Sequence, residues 1–279
     1  MNPYLAFKDI VFTYRITLCI LSIGLFIAAL EDLKSWSIFK PEGLLSWKAA
    51  KLSFKWRAKD LRQRLFNLLL QDSVFKCSIY LRIFAYPLLF IFSLLNIISP
   101  ILICFVFFLN LLMNFRSPYG LDGSYQMTLV ILFALSIGSL FGVHSPISTI
   151  CLLFIAGELL ASYFIAGFHK LISPMWRKSS ALHGIFSTRS YGHGFFFQLI
   201  SRMQLLTTFL SWFVFLFELL FFTVLFFHPM YTILFFAIGF LFHVFNAIFM
   251  GLNNFLFTFS AAYPALFYCV NYIHEPILH

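Results

Sequence analysis

The stretch Met203–Phe227, MQLLTTFLSWFVFLFELLFFTVLFF, decides the fold. It carries a single charge, Glu218, and neither glycine nor proline. As a helix rising about 1.5 Å per residue it extends about 37 Å, enough to cross a hydrocarbon core of about 30 Å. No alternation of apolar and polar residues runs through it, so a lipid-facing β-strand does not fit. Within hydrocarbon each backbone N–H and C=O has to be satisfied by the protein itself, and a helix does that within one segment.

Similar stretches lie on both sides. Downstream are Tyr231–Met250 and Asn254–Val270, the latter kinked at Pro264. Upstream are Val11–Leu30, stopped by Glu31 and Asp32, then Tyr125–Phe141 and Ile147–Phe168. Ile79–Phe115 is almost continuously apolar. As one helix it would run about 55 Å, far longer than the bilayer core. Asn96 and Ser99-Pro100 therefore read as a break between two shorter spans. The stretch Arg116–Ser124, RSPYGLDGS, is a loop by its turn formers. The expectation is an all-α, polytopic transmembrane helical bundle of about eight spans, one integral membrane domain over residues 1–279.

Composition agrees with that reading. Of 279 residues, 61% are hydrophobic and 10% charged, against about 25% charged in an ordinary soluble domain. Such a chain could not cover a water-exposed surface, so its first partner is the lipid bilayer. The net charge of +9 gathers between the spans, where anionic headgroups account for it better than nucleic acid does. Residues 34–78 mix Lys48, Lys51, Lys55, Arg57, Lys59, Arg62 and Arg64 with Trp47, Leu52, Phe54, Trp56, Leu61 and Phe66. That pattern predicts an amphipathic helix in the membrane interface near residues 44–68. With eight spans, Lys34–Arg82, Arg116 and Lys170–Arg202 share one side, which the positive-inside rule places in the cytoplasm with both termini outside. The first span lacks a small-residue cleavage site and contains Arg15, so it reads as retained rather than as a signal peptide. The five cysteines are scattered without metal-like spacing, so no metal site is expected.

Ionisable residues at membrane depth are costly and are functional candidates for that reason. In the fifth span, Tyr163, Gly167 and Lys170 share one helical face, while Glu158, Ser162 and His169 share a neighbouring one. In the sixth, Gln204, Thr208, Ser211 and Glu218 form a stripe, and His243, Asn246 and Asn253 form another further on. These seams are expected to face each other around a polar pocket. Each has a plainer reading. Lysines at helix ends snorkel to headgroups, Trp176 suits an interface, and polar stripes glue helices together. Glu218 and His243 sit mid-span and resist it. No HExxH, P-loop, GxSxG or dinucleotide fingerprint occurs, so soluble-enzyme chemistries have no support.

Three segments bear a family likeness. SYFIAGFHKLISPMW, Ser162–Trp176, resembles the segment of vitamin K-dependent gamma-carboxylases that holds their catalytic lysine. LFHVFNAIFMGLNNFLFTFSAAYPALF, Leu241–Phe267, resembles their later histidine-bearing span, and RSPYGLDGSY, Arg116–Tyr125, looks like the loop before their middle spans. The wider group is the horizontally transferred transmembrane (HTTM) domain family, which also includes the membrane component of sporulation-delaying-type antimicrobial peptide systems. The resemblance covers roughly residues 8–270. It implies Lys170 and His243 as catalytic residues, Lys170 being a base made available where an apolar wall disfavours the charged amine; Glu218 joins them as a catalytic candidate for its own charge at membrane depth. The resemblance also implies Glu158 and Asn246 near that site, and with Tyr163 and Gly167 of the lysine's helical face they are expected around a quinone or other isoprenoid lipid.

Two departures shape the expectation. Asp122-Gly123 stands where the carboxylases carry Asn-His ahead of Ser-Tyr. The sequence also lacks their large C-terminal soluble region, ending nine residues after Val270. A bacterial-type member in the cell membrane is therefore expected, maturing or modifying a secreted antimicrobial peptide, with that peptide and a companion maturation protein as partners. The alternatives are a non-enzymatic membrane protein, for transport, export or structure, and a gamma-carboxylase-like enzyme.

Overall fold

The computed structural model describes residues 7–54, 61–117 and 121–274. All regular structure among them is helical. In chain order the helices are α1 (Ile10–Lys34), α2 (Trp47–Ala50), α3 (Leu61–Leu70), α4 (Asp72–Leu94), α5 (Pro100–Arg116), α6 (Gly123–Leu140) and α7 (Pro146–Ile172). They continue as α8 (Pro174–Arg177), α9 (Ala181–Phe186), α10 (Gly194–Arg202), α11 (Gln204–Leu220), α12 (Pro229–Met250) and α13 (Asn253–Ile273). A 3-10 turn, Phe221–Phe226, extends α11.

Seven of these are long and apolar enough to cross a membrane: α1, α4, α6, α7, α11 with its 3-10 extension, α12 and α13. The 17-residue α5 is a shorter apolar helix. The chain is an all-α, polytopic integral membrane protein. The break expected between Ile79 and Phe115 falls where Asn96 takes a positive φ of 63°, which asparagine tolerates better than most residues. Ser99 then caps α5, its Oγ accepting from Leu102 N, and Pro100 stands in the first turn, where no N–H is needed. Gly251 ends α12 in the left-handed conformation at φ 71°.

Some boundaries differ from expectation. α1 runs past Glu31 and Asp32 to Lys34, because Asp32 is not exposed to water as a helix stop would be: it pairs with Arg82 at 2.9 Å. α4 starts at Asp72, not Ile79. The described residues of 44–68 form two helical pieces, the first ending before an extended Phe54, rather than one continuous helix. Ser53 Oγ bonds back to the Ala50 carbonyl at 2.7 Å, and Phe54 turns extended at φ −93°, ψ 132°. The Trp47 indole then donates to Asn67 Oδ1 at 2.9 Å, and Trp47 and Ala50 bury against Leu70 and Leu112. The aromatic face thus packs inward on α3 and α5. Lys55, Trp56, Arg57 and Lys59, which also carried that expectation, lie outside the described residues, as do Pro118–Gly120 of the loop.

The chain divides into two compact units, Tyr14–Cys151 and the remainder, residues 1–13 with Leu152–His279. In the first, α4, α5 and α6 pack in sequence and α3 lies against α4 and α5. Its polar anchor is Arg116, fully buried. The guanidinium donates to Asp72 Oδ1 at 2.7 Å, to the Phe39 carbonyl at 3.1 Å and to the Leu45 carbonyl. It also lies over the rings of Phe75 and Phe39, at 5.1 and 6.0 Å. One side chain thereby ties residues 39–45 to the start of α4 and the end of α5. In the second unit α12 and α13 pack along one another, and α8, α9 and α10 gather on α11.

Candidate functional site

The second unit brings most of the sequence candidates together. Gly167 makes the first contact possible: a Cβ there would strike the backbone of Glu218 and Leu219. With no side chain in the way, α7 approaches α11 closely, as small residues allow in membrane helices. One turn on, Lys170 Nζ reaches Glu218 Oε2 at 2.5 Å. Glu218 is buried and Lys170 partly so, at 6% and 21% side-chain exposure. The amine also lies 5.4 Å from the ring centre of Trp176, on α8. The lysine is thus paired rather than isolated in an apolar cleft. The two side chains form a hydrogen-bonded ion pair between α7 and α11.

Two turns back along α7, Tyr163 forms a second cluster. Its Oη lies 2.7 Å from His243 Nε2 on α12 and 2.9 Å from Tyr263 Oη on α13. Its ring stacks on Phe221 at 4.1 Å and meets Phe217 edge-on at 5.9 Å; these residues flank Glu218. His243 is 2% exposed, packs against Phe259 at 4.8 Å, and has no partner for Nδ1 among the described residues. Seven residues separate Tyr163 from Lys170, about 10 Å along the helix. The two clusters are consecutive levels of one helical interface.

A cavity of about 410 Å³ lies beside the ion pair. Lys170, Trp176 and Asn246 are its polar features, and Phe186, Phe213 and Phe242 stand among an otherwise apolar lining. Of the seven residues the sequence singled out, Lys170 and Asn246 line it. Glu218 stands behind Lys170, while Tyr163 and His243 lie one layer away. Gly167 acts through helix approach, and Glu158 is half-buried on α7 without lining the cavity. The expected stripe on α11 is shifted: Gln204 and Thr208 are exposed, and the buried polar face is Thr207, Ser211 and Glu218. Asn253 falls beyond the Gly251 break, in the first turn of α13.

Sequence reading missed Tyr263, whose hydroxyl completes the three-membered chain, and treated Trp176 only as an interface aromatic. Tyr263 lies one residue before Pro264 inside a plainly apolar helix, and only the hydroxyl marked it. Among the described residues no cluster of three His, Cys, Asp or Glu could hold a metal ion.

No family model, curated protein or solved structure matches the chain. Fold and site define a polytopic α-helical membrane protein with a buried lysine–glutamate pair beside an apolar intramembrane cavity.

Proposed function

We propose that this is a bacterial-type HTTM family protein of the cell membrane that takes part in maturing or modifying a secreted peptide, with Lys170 and Glu218 as its acid–base pair. The observation that carries the reading is the ion pair itself, with Lys170 on the wall of an apolar cavity of about 410 Å³. A proton donor and a proton acceptor held together in a dry site is an arrangement suited to proton transfer. A purely structural tie would not need its amine on a cavity wall.

The residues present fit a quinone-like or other isoprenoid lipid. Aromatic and aliphatic side chains would cover the ring and chain, Lys170 and Asn246 would meet a polar head, and Trp176 offers an indole N–H. Such a lipid would supply redox chemistry when bound; this chain's own residues would orient it, exclude water and hold a proton at Lys170 Nζ or Glu218 Oε2. Tyr163 and His243 would support the pair from the next level rather than touch the ligand. A secreted antimicrobial peptide and a companion maturation protein remain the partners this reading implies.

A gamma-carboxylase-like activity draws less support. Asp122, at the position where the resemblance would want part of an Asn-His pair, caps α6, its Oδ1 accepting from Ser124 N at 2.9 Å. A helix bundle in which the pair is only structural is the competing reading. Substituting Lys170→Ala and, separately, Lys178→Ala separates them. Acid–base use requires loss of peptide maturation at Lys170 alone, with normal membrane insertion of both variants. Equal, mild effects at both positions would leave only a general role for positive charge. Extraction of lipids from the purified protein provides the second test: a co-purifying isoprenoid quinone supports the cavity's assignment, and bulk phospholipid alone counts against it.

A further inference from the structure

The cavity beside Lys170 shares a wall with a second space. An open groove of about 400 Å³ runs along α11, lined by Phe209, Trp212, Phe213, Leu216 and Leu220, with Phe235 of α12 beside them. These α11 residues are exposed, as lipid-facing positions are. Phe213 lines both the groove and the cavity. Its ring stands in a stacked ladder with those of Phe209 and Phe217, centres 6.0 Å apart at each step. One exposed aromatic side chain is therefore common to the two spaces.

The other walls of the cavity direct a long ligand toward that side chain. On the side of the short helices, Leu182 and Phe186 of α9 and Phe196 of α10 line it. They pack with Ile200, Phe245 and Met250 in one apolar cluster, so that side is closed by packed side chains. On the side of α7 stands Lys170, with Glu218 behind it. The volume of about 410 Å³ suits a compact ligand, near the low end of the about 300–1,000 Å³ of small-molecule sites. A ring fills much of it, and a long hydrocarbon tail has to continue elsewhere. From Phe209 to Leu220 the groove offers about 16 Å of apolar wall along α11.

We propose that the groove is the tail subsite of the lipid whose head the cavity takes: the head lies against Asn246 and Lys170, and the rest of the tail passes Phe213 and runs along α11. This rests on the lipid reading of the cavity given above. It narrows the ligand to a single-tailed amphiphile with a compact head, since one groove and one shared wall serve one chain. It also makes the bilayer interior the route of entry, between the spans and past Phe213. Inside a membrane a tail gains nothing by leaving water, so its preference for the groove comes from contact with the rings and leucines alone, and is modest.

The test uses the full-length protein in choline-phospholipid nanodiscs and two radiolabelled probes, a tail-less dimethoxy-methyl-benzoquinone and its decyl-tailed counterpart. Each probe partitions into the nanodisc equally whichever variant is present, so comparison between variants isolates the protein's contribution. Leu216→Trp, which fills the groove, should weaken binding of the decyl-tailed probe about fivefold and leave the tail-less probe unchanged. Leu220→Trp, further along, should act in the same direction and serves if Leu216→Trp fails to fold. Ile165→Trp, at an exposed position of α7 outside both spaces, should alter neither. Binding of both probes that is indifferent to the groove substitutions would overturn the tail subsite and leave the cavity's lipid reading standing. Equal weakening of both probes would also overturn it, because the substitutions would then act on the cavity. Failure of wild-type protein to bind either probe would remove the lipid reading itself and the tail subsite with it.

Discussion

Lys170 Nζ and Glu218 Oε2, contributed by α7 and α11, lie 2.5 Å apart with the carboxylate side chain 6% exposed. Each charge is affordable at that depth only because the other is present. Removing one partner of a buried pair is strongly destabilising, by about 3–5 kcal/mol, whereas replacing both with apolar groups is often neutral. Glu218→Leu should therefore lower the thermal unfolding temperature in detergent more than the double variant Lys170→Met/Glu218→Leu does. If the double variant instead shows the sum of the two single losses, the residues do not interact as an ion pair.

Tyr163→Phe deletes one oxygen and two hydrogen bonds, leaving His243 Nε2 and Tyr263 Oη without their shared partner. Buried groups left unmatched cost about 1–3 kcal/mol each. The Phe ring should still stack on Phe221, so the loss should be polar rather than a loss of packing. Tyr263→Phe removes only one of the bonds and should cost less. Comparing the two unfolding midpoints measures this, and equal losses would show that the His243 contact contributes nothing.

How far these relationships could be read in advance depended on what set them. Span existence was plain because hydrocarbon imposes a length and a composition, and the Ser99-Pro100 break followed from local backbone chemistry. Lys170, Glu218, Tyr163 and His243 stood out because polarity at membrane depth is expensive. Their pairings did not, since helical phase fixes which residues share a face and leaves open which face meets which. The stripe on α11 was misjudged in that way: Thr207, not Thr208, lies on the buried side. Arg116 was hidden for another reason. At a helix end beside a turn-rich loop it looked like a solvated cation, and its burial arises from residues 39–45, far away in sequence.

Arg116→Lys tests that anchor. A lysine keeps the charge but has a single ammonium in place of a planar fork, so it cannot serve Asp72 and the carbonyls of Phe39 and Leu45 in the same geometry while lying between two rings. The expected loss is several kcal/mol, approaching the 3–5 kcal/mol of a broken buried pair. Proteolysis within residues 36–50 should rise at the same time, because that segment loses its tether. A fully protected segment in Arg116→Lys would mean that Phe39, Phe75 and Trp47 hold it without the guanidinium.

Gly167 and Gly157 lie on the same helix and give a paired test of how close α7 and α11 must come. Alanine is favoured over glycine within a helix by about 1 kcal/mol, so each substitution starts with a small gain. At Gly157 an added Cβ meets nothing within 4 Å, and that gain should stand. At Gly167 it would land on the backbone of Glu218 and Leu219, which cannot swing aside as a side chain would. The helices have to part, at a cost of about 1–3 kcal/mol for overpacking, and the Lys170–Glu218 contact one turn away has to lengthen. Gly167→Ala should therefore lower the unfolding temperature and shrink the coupling between Lys170 and Glu218 in a double-mutant cycle, while Gly157→Ala leaves that coupling intact. Undiminished coupling in Gly167→Ala would show that the pair adjusts freely, and that the close approach of the two helices is not what sets its geometry.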